Sequence, residues 1–201
     1  VKIIYNCYGG AHSSVVAAAL HLGLLDNTRV PGEKELLELP LFDGTWEHDH
    51  GRLFFFGIDD KQREIYVLGK RNLGHQLNDL IHLAAQAAGI TREEYLLVDA
   101  LPYVNWLMVV GGYTSRRLHW ERLGRPIVIR GIQTFYWQIV NKVEQVKKLV
   151  PITETKKWVL KNGANITVDR VLACRVVRSF WLAWGITGIS LDFLAAMVNN
   201  E

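Results

Sequence analysis

The opening of the chain limits its fold more than any other stretch. An apolar run, Lys2–Cys7, leads through Gly9 and Gly10 into the alanine-rich residues 13–24, which end at Gly23 before Asp26 and Asn27. A short strand, a tight glycine turn and a helix in immediate succession point to a sheet with helices packed on it. The pattern then repeats with variations. Residues 53–56 and 64–68 flank the polar Asp59, Asp60, Lys61 and Gln62, a β-hairpin pattern. Leu77, Leu80, Ile81, Ala84 and Ala88 recur at helical spacing within residues 73–88, which stop at Gly89. A buried strand is expected over 95–98, ending at Asp99, and a helix over 104–110, running into Gly111 and Gly112. Residues 126–130 read as a further strand closed by Gly131, and 134–149 as an amphipathic helix with Phe135, Ile139, Val143 and Val146 on one side. The expected fold is α/β: a mostly parallel sheet flanked by helices, with an antiparallel β-hairpin at its edge. Residues 30–52, rich in glycine and proline around a short helical piece at 33–39, form a long excursion of the kind that is functional or mobile.

The texture changes at Pro151. Residues 1–150 carry 17 basic and 16 acidic side chains, and residues 151–201 carry 6 and 4. An α/β phosphate-binding-like domain is therefore expected over 1–150, and an apolar C-terminal hairpin and helical extension over 151–201. Within the extension, Asn162-Gly163 is a strong hairpin signal, residues 171–184 read as helical, and residues 180–198 contain one charge, Asp192. Asp192 in mid-span, with Gly185, Thr187, Gly188 and Ser190, argues for a packed or dimer-forming segment over a membrane anchor. A homo-oligomer through this tail is the corresponding partner expectation.

Half of the 201 residues are hydrophobic and the formal charge is +3, which excludes a disordered chain and gives no reason to expect nucleic acid as partner. Cys7 and Cys174 are the only cysteines, so no disulfide framework exists and a reducing, cytoplasmic setting is expected. Lys2 is followed by too short an apolar run for a secretory leader.

Chemistry concentrates in Cys7-Tyr8-Gly9-Gly10-Ala11-His12-Ser13-Ser14. In doubly wound sheets, ligands lie at the carboxyl ends of strands, where the next helix offers unpaired N–H groups to an anion. Glycines let backbone approach a phosphate, and hydroxyls at the helix start either bind the oxyanion or cap the helix. Gly9, Gly10, His12, Ser13 and Ser14 are the expected cradle for a phosphate-containing small molecule or nucleotide. The bland alternative is a buried strand end, a glycine turn and a serine N-cap.

Against the nucleotide-binding P-loop pattern, Gly9, Gly10 and Ser14 fit, while Cys7 replaces the first glycine, His12 the last and Ser13 the lysine. The loop also resembles that of low-molecular-weight protein tyrosine phosphatases. That resemblance implies Cys7 as nucleophile and Ser14 as the loop serine, with Ser13 where the family has its phosphate-clamping arginine. Arg116, Arg117, Arg122, Arg125 and Arg130 lie close together with Glu121 as the sole acid among them, and Arg116 and Arg117 are the candidate countercharge. Asp99 and Asn105, expected at the same carboxyl edge, are candidate polar contacts. If the site is an enzyme, Cys7 attacks a phosphoryl group or His12 acts as acid or base. If it is not, the domain binds an anion and uses its apolar tail for interaction. No cofactor is specified by any motif.

The histidines read more weakly. His48, Asp49 and His50 form a compact trio that with His12 or Asp99 resembles a metal site, but the spacing lacks a partner motif. His75 and His82 share a helix face, and His21 is expected to favour the C-terminus of its helix electrostatically.

The residues Lys2 to Ala19, together with Glu35-Leu36-Leu37, Leu39-Pro40, Phe42-Asp43, Gly111-Gly112, Ser115-Arg116-Arg117-Leu118 and Leu123-Gly124-Arg125-Pro126-Ile127-Val128, resemble a family of small uncharacterised proteins from spore-forming Gram-positive bacteria, known only as a domain of unknown function. Tyr66 to Gly69, and Gly131 followed by Tyr136, extend the likeness, which covers about residues 1–150. The resemblance implies a cytoplasmic bacterial domain and carries no assigned activity.

Overall fold

A computed structural model describes residues 1–74 and 76–149. The expectations for residues 151–201 and for His75 lie outside the described residues.

Strands β1 (Lys2–Cys7), β2 (Leu53–Ile58), β3 (Glu64–Gly69) and β4 (Tyr95–Asp99) form one sheet in the order β2-β3-β1-β4. β1 pairs in parallel with both β3 and β4, and β2 is the antiparallel edge, as the hairpin pattern predicts. Helices α1 (Ser13–His21), α2 (Glu33–Leu37), α3 (Gln76–Ala87), α4 (Trp106–Gly112) and α5 (Glu121–Leu149) complete the fold.

Alternation along the strands divides the core in two. Ile3, Tyr5, Ile65, Val67 and Val98 pack with α1, α4 and α5, while Ile4, Tyr66, Leu68 and Tyr95 pack with Leu77, Ile81 and Ala85 of α3. The sheet is thus buried on both faces, which is why its parallel strands read as nearly continuous apolar runs. From β1 the chain moves to β3 on one side, then crosses to β4 on the other. Strand order reverses at β1, the position at which open α/β sheets bind ligands beyond the strand ends.

The expectation for residues 126–130 is corrected. Residues 126–130 are not a strand but part of α5, which runs unbroken through Pro126. Val128, Ile132, Tyr136, Ile139, Val143 and Val146 are all buried, so the helical stripe begins inside the presumed strand. β-branched residues and a proline outweighed that stripe in the local pattern, whereas tertiary packing decides it. α4 lies close enough to α5 that a Cβ on Gly111 would fall 2.6 Å from the Val128 nitrogen, so this crossing requires glycine.

At the amino edge of β1 and β3, His21 joins a buried network. Its Nδ1 lies 2.7 Å from the Tyr5 hydroxyl, its Nε2 lies 3.1 Å from Asp59 Oδ2, and Arg63 Nε donates to that same oxygen at 2.6 Å. Burial first, and the Arg63 charge after it, lower the His21 pKa to about 4 despite its bond to Asp59. The ring is therefore neutral, not the helix-terminal cation that the sequence suggests. The network borders a cavity of about 320 Å³, rimmed also by Lys61 and Lys147.

Among the described residues, no helix is long and apolar enough to cross a membrane.

Candidate functional site

The loop after β1 is held from several sides. Lys70 N–H donates to the Cys7 carbonyl and Arg71 N–H to that of Tyr8, both at 2.8 Å, so the chain leaving β3 runs alongside the loop. Gly10 has φ +67°, and a Cβ there would lie 2.7 Å from the Gly69 nitrogen, so both its conformation and its packing require glycine. Thr45 Oγ1 donates to the Gly9 carbonyl at 3.0 Å, and Asp43 N–H to that of Ala11 at 3.1 Å. The long excursion thus serves as a wall of the loop.

Inside this frame Cys7, only 3% exposed, presents its sulfur to the Gly10 N–H at 3.2 Å and to the Ser14 hydroxyl at 3.1 Å. His12 is the N-cap of α1 and makes no side-chain capping bond. Ser13 and Ser14 lie within the first turn, so neither is the N-cap that the bland alternative requires. The Ser13 hydroxyl is fully buried and has no hydrogen-bond partner. No acidic residue stands in that turn.

The organising carboxylate is Asp43, which sequence reasoning missed as a site residue. Its Oδ1 accepts from His12 Nε2 at 3.2 Å, while Oδ2 accepts the Ser115 hydroxyl at 2.6 Å and Arg125 Nε at 3.0 Å. Burial pushes the carboxyl up, but the bonds from His12, Ser115 and Arg125, with the charge of His12, outweigh it and bring the pKa to about 2. Arg116 donates to the backbone carbonyls of Asp43 and Thr45 and stacks 4.5 Å over the Trp46 ring. Its guanidinium therefore holds the excursion in place. Arg117, on the same π-helical turn Tyr113–Arg117, is exposed.

The other predicted residues fall on the same edge with varied roles. Asp99 ends β4 half-exposed; its Oδ1 accepts from Leu101 N–H and its Oδ2 pairs with Lys70 Nζ at 2.6 Å. Asn105 caps α4, accepting from Met108 N–H at 3.0 Å, and donates to the Gly131 carbonyl at 2.8 Å, so both ends of its amide are engaged. His48 is exposed beside Asp49, and His50 meets the Tyr8 ring edge-on, with a pKa lowered by burial and by Arg71. His82 bonds to the Tyr95 hydroxyl, away from the loop. Among the described residues, no three His, Cys, Asp or Glu side chains converge as metal ligands.

Lys70 is the second residue the sequence did not single out. It follows the last residue of β3 with its side chain buried, and the signal was available: a lysine directly after a strand that ends in glycine.

No curated protein and no solved structure matches the chain. A family described as a protein of unknown function (DUF3189) does match, over residues 2–148, a span that includes β1 through α5 and every side chain of the loop and of the Asp43 cluster. The chain belongs to the DUF3189 family.

Proposed function

We propose that the chain binds a phosphate-containing small molecule or nucleotide in the loop between β1 and α1, with Gly9, Gly10, His12, Ser13 and Ser14 around the anion. The Ser13 hydroxyl carries this reading: it is fully buried and unpartnered in the first turn of an uncapped helix. An unpaired buried hydroxyl costs about 1–3 kcal/mol, which a ligand oxygen accepting its proton removes. The helix start adds free N–H groups and a positive dipole end, at the point where strand order reverses. The test is thermal unfolding with inorganic phosphate, nucleotides and sugar phosphates. A ligand at about 100 Kd adds about 2.7 kcal/mol of stability. Ser13→Ala, which removes only an unpaired hydroxyl, should fold as well as the parent and lose most of that shift. No shift with any phosphate compound overturns the reading.

A second reading follows from the sulfur of Cys7, which faces the Gly10 N–H and the Ser14 hydroxyl. In it, Cys7 attacks phosphorus as the thiolate, an S–P bond forms as the ester P–O bond breaks, and the departing alkoxide takes a proton from His12. Water then cleaves the S–P bond, giving its proton back to His12 and releasing phosphate and the thiolate. His12 is oriented for this by Asp43, which accepts from Nε2 and leaves Nδ1 to exchange the proton.

A further inference from the structure

Three polar residues meet over the carboxyl end of β1 on the α3 face of the sheet. Asn6 continues the side of Ile4, Lys70 that of Tyr66 and Leu68, and Asp99 that of Tyr95 and Leu97. β1 lies between β3 and β4, so the Lys70 side chain spans the end of β1 to reach Asp99 Oδ2 at 2.6 Å. Asn6, aligned with Asp99 in the register, is 1% exposed. Its amide leans toward β4, donating to the Val98 carbonyl at 3.1 Å, and its Oδ1 has no partner.

The β1–α1 loop contains no cation of its own other than His12, and Arg116 is held on the carbonyls of Asp43 and Thr45. Lys70 is fastened to that loop through its own N–H on the Cys7 carbonyl. Its ammonium is a point charge on a four-carbon stem, which rotation about that stem can redirect. Asp99 is 46% exposed, so water reaches the pair from the carboxylate side, and a phosphate dianion in the loop would compete for the ammonium. Once Lys70 turns, Asp99 Oδ2 and Asn6 Oδ1 are two acceptors without donors, while Asp99 Oδ1 keeps the Leu101 N–H. Hydroxyl groups supply such donors.

We infer that the ligand is the phosphate ester of a polyol: Lys70 moves from Asp99 to the phosphate, and Asp99 with Asn6 accepts the protons of neighbouring hydroxyls. The inference rests on the phosphate reading of the loop and adds to it a latch residue and a ligand class.

Calorimetric titration of the full chain with glycerol phosphate and with ethyl phosphate tests it, because the two esters share charge and differ in hydroxyls. Glycerol phosphate should bind about tenfold more tightly. Lys70→Met should weaken both esters by a similar factor. Asp99→Ala, confirmed as folded by circular dichroism because it unpairs the buried Lys70 ammonium and the Leu101 N–H, should abolish the preference while keeping or strengthening ethyl phosphate binding. Equal affinity of the parent for both esters overturns the polyol assignment and leaves the loop reading standing. A preference retained in Asp99→Ala also overturns it. Unchanged binding in a folded Lys70→Met variant removes Lys70 as the cation. If neither ester binds the parent, the inference fails, and the loop reading falls with it only if inorganic phosphate and nucleotides give no thermal shift either.

Discussion

His12 Nε2 lies 3.2 Å from Asp43 Oδ1, and this contact joins the first turn of α1 to a carboxylate from the middle of the long excursion. The other carboxylate oxygen reaches Ser115 and Arg125, so one buried side chain connects the loop, the excursion and the start of α5. Asp43 itself has φ +50°, a conformation that aspartate and asparagine tolerate better than most residues.

Asp43→Ala should destabilise the fold by about 3–5 kcal/mol, since it leaves Arg125, Ser115 and His12 facing a buried void. Asp43→Asn keeps the backbone conformation and removes the charge, which separates the two effects. The folded pKa near 2 is depressed below the ordinary 3.8, so the carboxylate's contribution is complete above about pH 4 and is lost as pH falls toward 2. Urea midpoints measured across that window should fall in the parent and stay flatter in Asp43→Asn. A parent curve as flat as that of the variant would refute the role.

Gly10→Ala should destabilise by at least about 2 kcal/mol, from the left-handed backbone together with a Cβ driven into the strand beside it. Its control is Gly9→Ala, whose Cβ meets nothing within 4 Å. That neighbour should change stability by no more than about 0.5 kcal/mol. Comparable losses at the two positions in denaturant titrations would show that the Gly10–Gly69 contact does not constrain the loop.

The sheet was legible because β1 and β3 are buried on both faces, because β3 ends at Gly69 and β4 at Asp99, and because α1 follows its glycine turn directly. Residues 126–130 misled, since Pro126-Ile127-Val128-Ile129 has strand composition while its helical partners, Ile132 and Tyr136, lie beyond the window. The loop could be found from its glycines and hydroxyls, but Asp43 and Lys70 could not. They reach Ser115 and Asp99 across 72 and 29 positions of chain, contacts created by the excursion and by the β3–β1–β4 order. Arg116 was found by its charge, yet beside the Asp43 carboxylate and the Trp46 ring its hydrogen bonds go to two backbone carbonyls, which no side-chain pattern announces.

The Tyr5–His21–Asp59–Arg63 network makes stability depend on pH in a separate window. Burial lowers the His21 pKa from 6.5 to about 4, so between these values the unfolded chain binds a proton that the folded chain does not. Stability therefore rises with pH across that range and falls on acidification from 6.5 toward 4, by at most about 1.4 kcal/mol per pH unit for one proton. Unfolding free energies of the parent should show this slope, and those of His21→Asn should lack it. An unchanged slope in the variant would place the titration elsewhere.

Cys7→Ser distinguishes binding from catalysis at the loop. The hydroxyl still reaches toward Ser14 and the Gly10 N–H, so the cradle survives and the thermal shift with inorganic phosphate should persist within about a factor of three in affinity. Loss of the shift would make the sulfur part of the binding site itself. Hydrolysis of an aryl phosphate is the second measurement on the same pair of proteins. If the parent turns it over and Cys7→Ser does not, while binding is retained, the sulfur is the nucleophile. If the parent shows no turnover although phosphate binds, the loop is a binding site and the buried cysteine a packed strand end. His12→Gln then adds a check on the acid: with Cys7 as nucleophile it should slow turnover of an ester with a poor leaving group far more than that of an aryl phosphate, because only the poor leaving group needs the proton.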